Sequence, residues 1–257
     1  MLHYKIYSQQ HKEWVVLVHG AGGSSTIWYK QIRAYRKHFN VLVVDLRGHG
    51  ASKIENSPTT YTLNLVSQDI LKVLDELNIE KAHFVGISLG TMLIRQLAET
   101  NPERIHTMIL AGAVIRITPR LHFLLGLANL FKRIIPFLWL YKLFAWILMP
   151  KKAHQSSRNL FIQEAKKLKH REFLRWLTLT GGIAKYLVKF NEKDTEISSL
   201  YVMGDEDYVF LEPVKRLVRE QAASELVILK NSGHVCNVDQ AADFNEVTMR
   251  FLANAVK

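Results

Sequence analysis

Short apolar runs alternate with segments of helical periodicity along the first part of the chain. A continuous apolar strand is predicted at Trp14–Val18, and buried strands are predicted at 41–44 and 81–87. Helical segments are predicted from about residue 25 and over about 63–77. This alternation is typical of an α/β fold, and it predicts a mostly parallel, doubly wound sheet with helices on both faces.

The pattern changes beyond residue 112, where helical segments follow one another and no strand is predicted before residue 199. The sequence therefore predicts a core built from residues 1–113 and 197–257, with a helical insertion at 114–196. The other predicted core elements are a strand at 107–113, a strand at 199–203, a helix from about residue 212, a strand at 226–229 and a final helix at about 241–255.

The apolar stretch 121–149 is broken by charged residues and by Pro136. No uninterrupted run approaches the ~20 residues of a membrane span, so short helices are expected. The polar, charged start of the chain does not resemble a signal peptide. The single cysteine, Cys236, suits a reducing compartment. We expect a cytoplasmic protein, with peripheral attachment at the inner face of the membrane as an open alternative.

The net charge of +11 comes entirely from the predicted insertion. Residues 112–196 hold 16 Lys and Arg against 5 Asp and Glu, whereas the remainder of the chain holds 18 of each sign. The same stretch contains Trp139, Trp146 and Trp176. The insertion is therefore both basic and rich in aromatic side chains.

A Gly-x-Ser-x-Gly motif lies where the predicted strand at 81–87 meets the next helix, at residues 86–90. A serine hydroxyl with an ordinary pKa is a poor nucleophile, so catalysis requires its exposure at a sharp turn beside a base and an oxyanion hole. Gly86 and Gly90 lack Cβ atoms, which lets strand and helix approach closely and lets Ser88 take up a strained backbone conformation. Ser88 is the candidate nucleophile.

A serine nucleophile needs a histidine base and a carboxylate that orients the imidazole. Among eleven histidines, His234 follows the predicted strand at 226–229, at the edge where open α/β sheets bind ligands. The loop after the preceding strand offers Asp205, Glu206 and Asp207. We favour Asp207, because it lies further round the turn, and expect Asp205 to cap the turn or face solvent.

The oxyanion hole is expected to use two backbone amides. The Leu89 amide follows the nucleophile at a helix N-terminus, where the helix dipole favours negative charge. The second donor is expected in the glycine-rich loop after the first buried strand, with Ala21 preferred and Gly22 next. This loop lacks the spacing of a nucleotide-binding motif, so a nucleotide site is disfavoured.

Together these motifs resemble those of the α/β-hydrolase family over residues 10–113 and 197–256. Residues 86–90 resemble its nucleophile elbow, 19–23 its oxyanion loop, and 45–52 its Asp-x-Arg-Gly-x-Gly-x-Ser turn. The loops at 204–207 and 233–234 resemble its acid and histidine loops. The resemblance implies a structural role, beneath the site, for Asp45, Arg47 and His49. Serine at position 88 disfavours the dehalogenases and epoxide hydrolases of that family, which carry aspartate there.

The resemblance also implies that the insertion forms a helical cap over the active site. Its aromatic and aliphatic content predicts an apolar acyl or alkyl substrate, although most of these residues are expected to pack the cap onto the core. The candidates for substrate contact are Phe137, Trp139, Phe144 and Trp146.

The charge of the cap has three interpretations: a solvated face, an anionic substrate such as an acyl-CoA thioester, or a patch that meets anionic lipid. Nucleic acid is disfavoured, because no recognised binding module accompanies the basic residues. The patch would combine Lys132, Arg133, Lys142, Lys151 and Lys152 with Phe131, Phe137, Trp139, Phe144 and Trp146.

The predicted activity is that of a carboxylesterase, lipase or lysophospholipase, which hydrolyses an apolar ester through an acyl-enzyme and needs no metal or organic cofactor. A thioesterase is one alternative. A carbon–carbon bond hydrolase or lyase acting on a small anionic substrate is another, as is a cofactor-free haloperoxidase-like activity. A non-catalytic ligand-binding or membrane-associated module is the alternative from a different class.

Overall fold

The computed structural model describes residues 1–53, 58–117, 119–131, 134–192 and 195–255. Seven strands form one sheet in the order β1-β3-β2-β4-β5-β6-β7, in which β1 pairs antiparallel with β3 and every other pair is parallel. This sheet confirms the predicted fold class. The strands are β1 Tyr4–Ile6, β2 Trp14–Val18, β3 Asn40–Val44, β4 Ala82–Ile87, β5 Ile105–Ala111, β6 Ser199–Gly204 and β7 Ser224–Leu229.

Helices cover both faces of the sheet and fill the interval between β5 and β6. The α-helices are α1 Tyr29–Tyr35, α2 Leu63–Glu76, α3 Leu89–Thr100, α4 Pro119–Phe131, α5 Phe137–Leu148, α6 Gln155–Ala165, α7 His170–Glu192, α8 Leu211–Glu220, α9 Cys236–Asp239 and α10 Ala241–Ala255. Short 3-10 turns lie at Ser25–Trp28, Pro102–Arg104 and Lys152–His154.

The central strands are buried on both faces, which explains their continuous apolar runs. Val15 to Val18 of β2 and every residue of β4 are buried. One core lies between the sheet and helices α2, α3 and α8, and the other lies beneath α1, α9 and α10. The strand β1 was not predicted, because three residues are too few to show a period of two.

Helices α4 to α7 build a third, smaller core above the carboxyl edge of the sheet. Ala128 of α4, Leu140 of α5, Ala165 of α6 and Leu177 of α7 belong to this cluster. Among the described helices, none is long and apolar enough to cross a membrane. The third core lies within the predicted insertion, and α7 extends from it to pack on the sheet, where Trp176 joins the main core.

Candidate active site

Ser88 lies in a strained turn between β4 and α3. Its φ of 53° and ψ of −117° fall outside the regions that L-residues ordinarily adopt. The Ser88 amide donates to the carbonyl of Ala111 at 3.0 Å, which ties the turn to β5. A Cβ atom at Gly90 would collide with the carbonyl oxygen of Val18, and one at Gly86 would lie 2.8 Å from the Gly90 carbonyl carbon. The glycines of the motif therefore permit the tight turn that exposes Ser88.

A continuous hydrogen-bond chain joins Ser88, His234 and Asp207. His234 Nδ1 lies 2.8 Å from Asp207 Oδ2, and His234 Nε2 lies 3.0 Å from Ser88 Oγ. Because the carboxylate can only accept, Nδ1 carries the proton and Nε2 is left to accept from the serine hydroxyl. The structure thus brings together the three residues that sequence analysis selected for a triad.

Phe210 and Gly112 both lie close to the imidazole of His234. The ring of Phe210 lies 5.2 Å from it, and Phe210 also donates its amide to Asp207 Oδ1 at 3.1 Å. Gly112 also lies close to the ring: its φ is 49°, and a Cβ atom there would lie 3.2 Å from Nδ1. One aromatic residue therefore supports both the histidine and its carboxylate partner.

The other two acidic residues of the loop after β6 have separate partners. Asp205 Oδ1 accepts the Ser232 amide at 3.3 Å, and its second oxygen lies 3.7 Å from Lys230 Nζ. Asp205 therefore caps the turn. Glu206 accepts from Lys151 Nζ at 2.5 Å and contacts buried His154, so it links this loop to the segment before α6. Only Asp207 of the three faces His234.

Two buried histidines shape the glycine-rich loop after β2. Leu46 donates its amide to His19 Nε2 at 2.9 Å, so His19 Nδ1 donates to the Gly20 carbonyl at 2.7 Å. Gly22 donates its amide to His49 Nε2 at 2.9 Å, so His49 Nδ1 donates to a backbone carbonyl. Burial lowers the pKa of His19, and burial together with the neighbouring His19 lowers the pKa of His49 to about 3. Both rings are neutral structural groups.

These contacts distinguish the amides of Ala21 and Gly22 as donors to the oxyanion hole. The Gly22 N–H is already bonded to His49, whereas Ala21 lines the same cavity as Ser88. Gly22, the second choice from the sequence, is thus disfavoured because its donor has a partner. Leu89 begins α3, so its N–H has no acceptor in a preceding helical turn.

The turn at residues 45–52 forms the base on which these loops rest. Asp45 accepts the amides of Ser25 and Ala51, at 2.8 and 2.9 Å. Arg47 forms two hydrogen bonds to Asp69 of α2, at 2.7 and 2.8 Å, and both side chains are buried. These contacts agree with the structural role that the family resemblance implied.

An apolar cavity of about 210 Å³ opens beside Ser88. Its floor comes from the loops of the sheet edge, and its roof comes from helices α4 to α7. Among the described residues, the charged or polar side chains at its wall are those of Ser88, His234, Tyr141, Trp176 and Glu164, and Lys and Arg are absent. The apolar lining includes Ile27, Ile87, Leu125, Phe144, Leu148, Met149, Leu160, Phe161, Phe173 and Leu177.

The four aromatic candidates for substrate contact occupy different places, and only Phe144 lines the cavity. Phe137 packs in the third core, where its ring stacks on Phe173 at 5.4 Å. Trp139 and Trp146 lie on the opposite face of α5, with 69% and 54% of their surface exposed. The prediction is corrected for these three residues. Apart from Lys142, α5 is apolar on every side, so the hydrophobic pattern does not distinguish its inner face from its outer face.

Two polar residues of the cavity wall, Tyr141 and Glu164, were not among the candidates predicted from the sequence. A side chain at Gly22 would collide with the Tyr141 ring, so this ring lies against the glycine-rich loop. Burial raises the pKa of Tyr141, which keeps its hydroxyl neutral. Glu164 accepts from Ser24 Oγ at 2.7 Å and from Lys167. Glu164 and Glu172 are the two acidic residues at positions 114–191, a rarity that could have singled them out.

Three residues of the predicted basic and aromatic patch cannot be placed. Lys132 and Arg133 lie outside the described residues, as does the side chain of Phe131. Within the described ranges, no group of three or more His, Cys, Asp or Glu side chains has the geometry of a metal site.

Comparison with known proteins gives one family and several relatives. Residues 13–240 match the family described as alpha/beta hydrolase fold. A protein named for carbamate hydrolysis, RutD of Agrobacterium fabrum, is 32% identical over 120 residues, which are 46% of each chain. The 3-oxoadipate enol-lactonase 1 of Acinetobacter baylyi is 36% identical over 104 residues, which are 40% of this chain and 38% of that one. The matched part thus spans less than half the length of these curated relatives.

A solved structure extends the likeness of fold over nearly the whole chain. A hydrolase from Pseudomonas aeruginosa superimposes with a TM-score of 0.85 at 24% identity, covering 98% of this chain and 94% of the other. At this level of identity the likeness concerns the fold, including the helices above the sheet edge.

Proposed function

The chain belongs to the α/β-hydrolase fold family, and we propose that it is a serine hydrolase that cleaves carboxylic esters of apolar acyl groups. The observation that carries the proposal is the hydrogen-bond chain from Asp207 through His234 to Ser88, which opens into an apolar cavity. Domain boundaries follow the same proposal, with a core of residues 1–113 and 197–257 and a cap of residues 114–196.

In the proposed first step, Ser88 Oγ attacks the ester carbonyl and gives its proton to His234 Nε2. Asp207 holds the imidazole in the required tautomer and stabilises the imidazolium that forms. The amides of Leu89 and Ala21 donate to the developing oxyanion. His234 then protonates the leaving alcohol oxygen, which leaves the acyl group on Ser88.

In the second step, His234 Nε2 takes a proton from water, which attacks the acyl-enzyme carbonyl. Collapse of the tetrahedral intermediate returns the proton to Ser88 Oγ and releases the carboxylic acid. The groups that take part in this cycle are those of the chain, the ester and water. The neutral hydroxyl of Tyr141, beside the glycine-rich loop, is suited to anchor a polar atom of the substrate.

The composition of the cavity wall favours a neutral substrate over an anionic one. Among the described lining residues the only carboxylate is Glu164, and no Lys or Arg is present to bind a substrate carboxylate. A small anionic substrate would meet an apolar wall and a buried carboxylate, both of which raise the cost of burying its charge. This observation weighs against a carbon–carbon bond hydrolase or lyase acting on such a substrate.

The relatives are consistent with acyl transfer. An enol-lactone is a cyclic ester and a carbamate is an acyl derivative, so the reactions named for both relatives begin with attack on a carbonyl carbon. Cleavage of a lactone would use the same steps with the leaving alcohol still tethered to the acyl group.

A fluorophosphonate probe tests the nucleophile directly. We expect it to label the protein at Ser88 and to leave Ser88→Ala unlabelled. Nitrophenyl esters of increasing chain length, assayed in parallel, should show turnover that rises with acyl length until the cavity is filled. Absence of both labelling and turnover in a folded protein would rule out a serine esterase and favour a ligand-binding module.

A further inference from the structure

The outward faces of helices α4 and α5 each carry an unburied apolar stripe. On α4, Phe123, Leu127 and Leu130 are exposed with a spacing of four and three residues. On α5, Trp139, Leu143 and Trp146 repeat that spacing. Because α-helical residues with this spacing share one face, each helix presents an apolar ridge outwards. We call these six residues, with exposed Ile134 between the two helices, the outer stripe.

The outer stripe is not the far side of an ordinary surface helix. A surface helix normally has a polar outer face, whereas a helix that is apolar all round is buried in protein or in contact with lipid. The inner face of α5 packs against the rest of the protein: Phe144 and Leu148 line the cavity, and Ala145 is buried. An exposed apolar surface of this kind marks an interaction site.

Cations outnumber carboxylates beside the outer stripe, although Lys151 is paired with Glu206 of the loop after β6. The two acidic residues at positions 114–191, Glu164 and Glu172, are both buried, and they pair with Lys167 and Arg175. Exposed carboxylates are therefore lacking along this part of the described chain. Among the side chains that the structure describes in this range, the exposed basic ones are Arg116, Lys142, Lys151, Lys152, Lys166, Lys167, Lys169 and Arg171.

Five of these cations, Lys142, Lys151, Lys152, Lys169 and Arg171, lie at the ends of α5 or on its outward face. The His170 ring contacts the Phe137 ring at 5.8 Å, which places the segment 169–171 at the start of the helix. Lys151 and Lys152 follow directly after its end. Lys142 lies within one helical turn of both exposed tryptophans.

We propose that the outer stripe and the basic residues around it form a docking surface for an anionic phospholipid membrane. Tryptophan, leucine and isoleucine side chains enter the interface between headgroups and acyl chains, and lysine and arginine bind the anionic headgroups. A second copy of the chain fits less well, because two surfaces with the same excess of cations would repel each other.

Sedimentation with vesicles tests this surface without reference to turnover, so its outcome is independent of the proposed function. The full chain is mixed with phosphatidylcholine vesicles that contain or lack phosphatidylglycerol. We expect binding to the anionic vesicles at low salt, at least about tenfold weaker binding to the neutral ones, and weakening of the former at high salt.

Two variants with matched controls locate the contact. Trp139→Ser and Lys142→Glu should each reduce binding to anionic vesicles by at least about tenfold. Tyr29→Ser removes an exposed aromatic from α1, and Lys72→Glu makes the same charge change on α2. Both controls should stay within about twofold of the parent, because they lie on the core and not on the cap.

Three results would overturn the proposal. One is a failure to bind anionic vesicles at low salt. The second is equal loss of binding in Lys142→Glu and Lys72→Glu, which would show that net charge alone drives the association. The third is self-association that Trp139→Ser abolishes while vesicle binding is absent, which would make the stripe a contact between protein chains.

Discussion

The indole Nε1 of Trp176 donates a hydrogen bond of 3.0 Å to the backbone carbonyl of Arg47. Trp176 belongs to α7, and its ring also contacts the ring of His49 at 5.1 Å. His49 in turn holds the Gly22 amide. A single cap side chain thus reaches, through one histidine, the loop proposed to stabilise the oxyanion.

The first prediction concerns this connection. Trp176→Phe keeps an aromatic ring but removes the donor, so the buried Arg47 carbonyl loses a partner. The carbonyl keeps a second donor, His49 Nδ1 at 3.1 Å. We therefore expect the free energy of unfolding to fall by about 0.5–1.5 kcal/mol in urea titrations, the net contribution of one hydrogen bond. Trp139→Phe, the same change at an exposed site, should alter it by less than about 0.5 kcal/mol. Equal effects in both variants would show that the hydrogen bond contributes nothing.

The second prediction separates the two aspartates of the loop after β6. Asp207→Asn should reduce kcat by about 10³- to 10⁴-fold, because the amide favours the wrong imidazole tautomer. Asp205→Asn should cost less than about tenfold, since an amide oxygen can still accept the Ser232 N–H. The reverse order, measured with a soluble ester, would assign the orienting carboxylate to Asp205.

The third prediction concerns the glycine after the nucleophile. In Gly90→Ala the new methyl group would collide with the Val18 carbonyl oxygen, so strand and helix must separate. We expect a loss of stability of about 2 kcal/mol or more, together with loss of probe labelling at Ser88. Gly126→Ala is the control, because nothing lies within 4 Å of the added atom, and it should be neutral or slightly stabilising. A fully active Gly90→Ala would contradict the close approach.

The fourth prediction concerns the cavity wall. Phe144→Ala removes a lining side chain, so the preferred acyl chain should become longer in assays with nitrophenyl esters of graded length. Leu143→Ala changes the neighbouring residue, which points outwards, and should leave the preference unchanged. An unchanged preference in Phe144→Ala would mean that the acyl group lies elsewhere.

The fifth prediction is a pH dependence of stability from buried histidines. Burial, with the positive charges of His106 and Lys81, lowers the pKa of His83 to about 4 in the folded protein. Between the ordinary histidine pKa of about 6.5 and that value, the unfolded chain binds a proton that the folded chain does not, so stability falls as pH falls. Urea titrations should show this slope above pH 4.

His83→Gln tests that contribution. Between about pH 4 and 6.5, the free energy of unfolding of the variant should change with pH less steeply than that of the parent, by up to about 1.4 kcal/mol per pH unit. This difference in slope does not depend on the stability of the variant at neutral pH. His38→Gln, which changes a histidine exposed on the surface, should keep the parent slope. Parallel curves for the parent and His83→Gln would show that His83 does not carry the effect.

Strands and helices could be predicted from the sequence wherever the pattern of apolar residues fitted only one kind of element. The strand Trp14–Val18 and the helix Ala241–Ala255 have the predicted bounds, because burial on both faces of a strand and on one face of a helix leaves a clear periodicity. The meeting of Ser88, His234 and Asp207 was also anticipated, because loops after parallel strands converge on one sheet edge. Their catalytic roles stay predictions.

The residues of the proposed cap that face the cavity could not be predicted from the hydrophobic pattern. Along α5 nearly every position is apolar, so hydrophobicity carries no information about which side faces the cavity. Only tertiary contacts assign Phe144 inwards and Trp139 outwards. Tyr141 and Glu164 were not predicted, because they contact the glycine-rich loop after β2, which is more than a hundred residues away in the sequence.

The two faces of α5 have different surroundings, so substitutions on one face do not alter the other. Both kinds of position lie within the same twelve residues. The side chains at 144 and 148 line the cavity, whereas those at 139, 143 and 146 are exposed on the surface. If both proposals hold, substitutions in α5 change the proposed substrate preference and the proposed membrane attachment independently of each other. Related chains are expected to diverge along α5 in two uncorrelated series of positions, while the catalytic loops beneath stay constant.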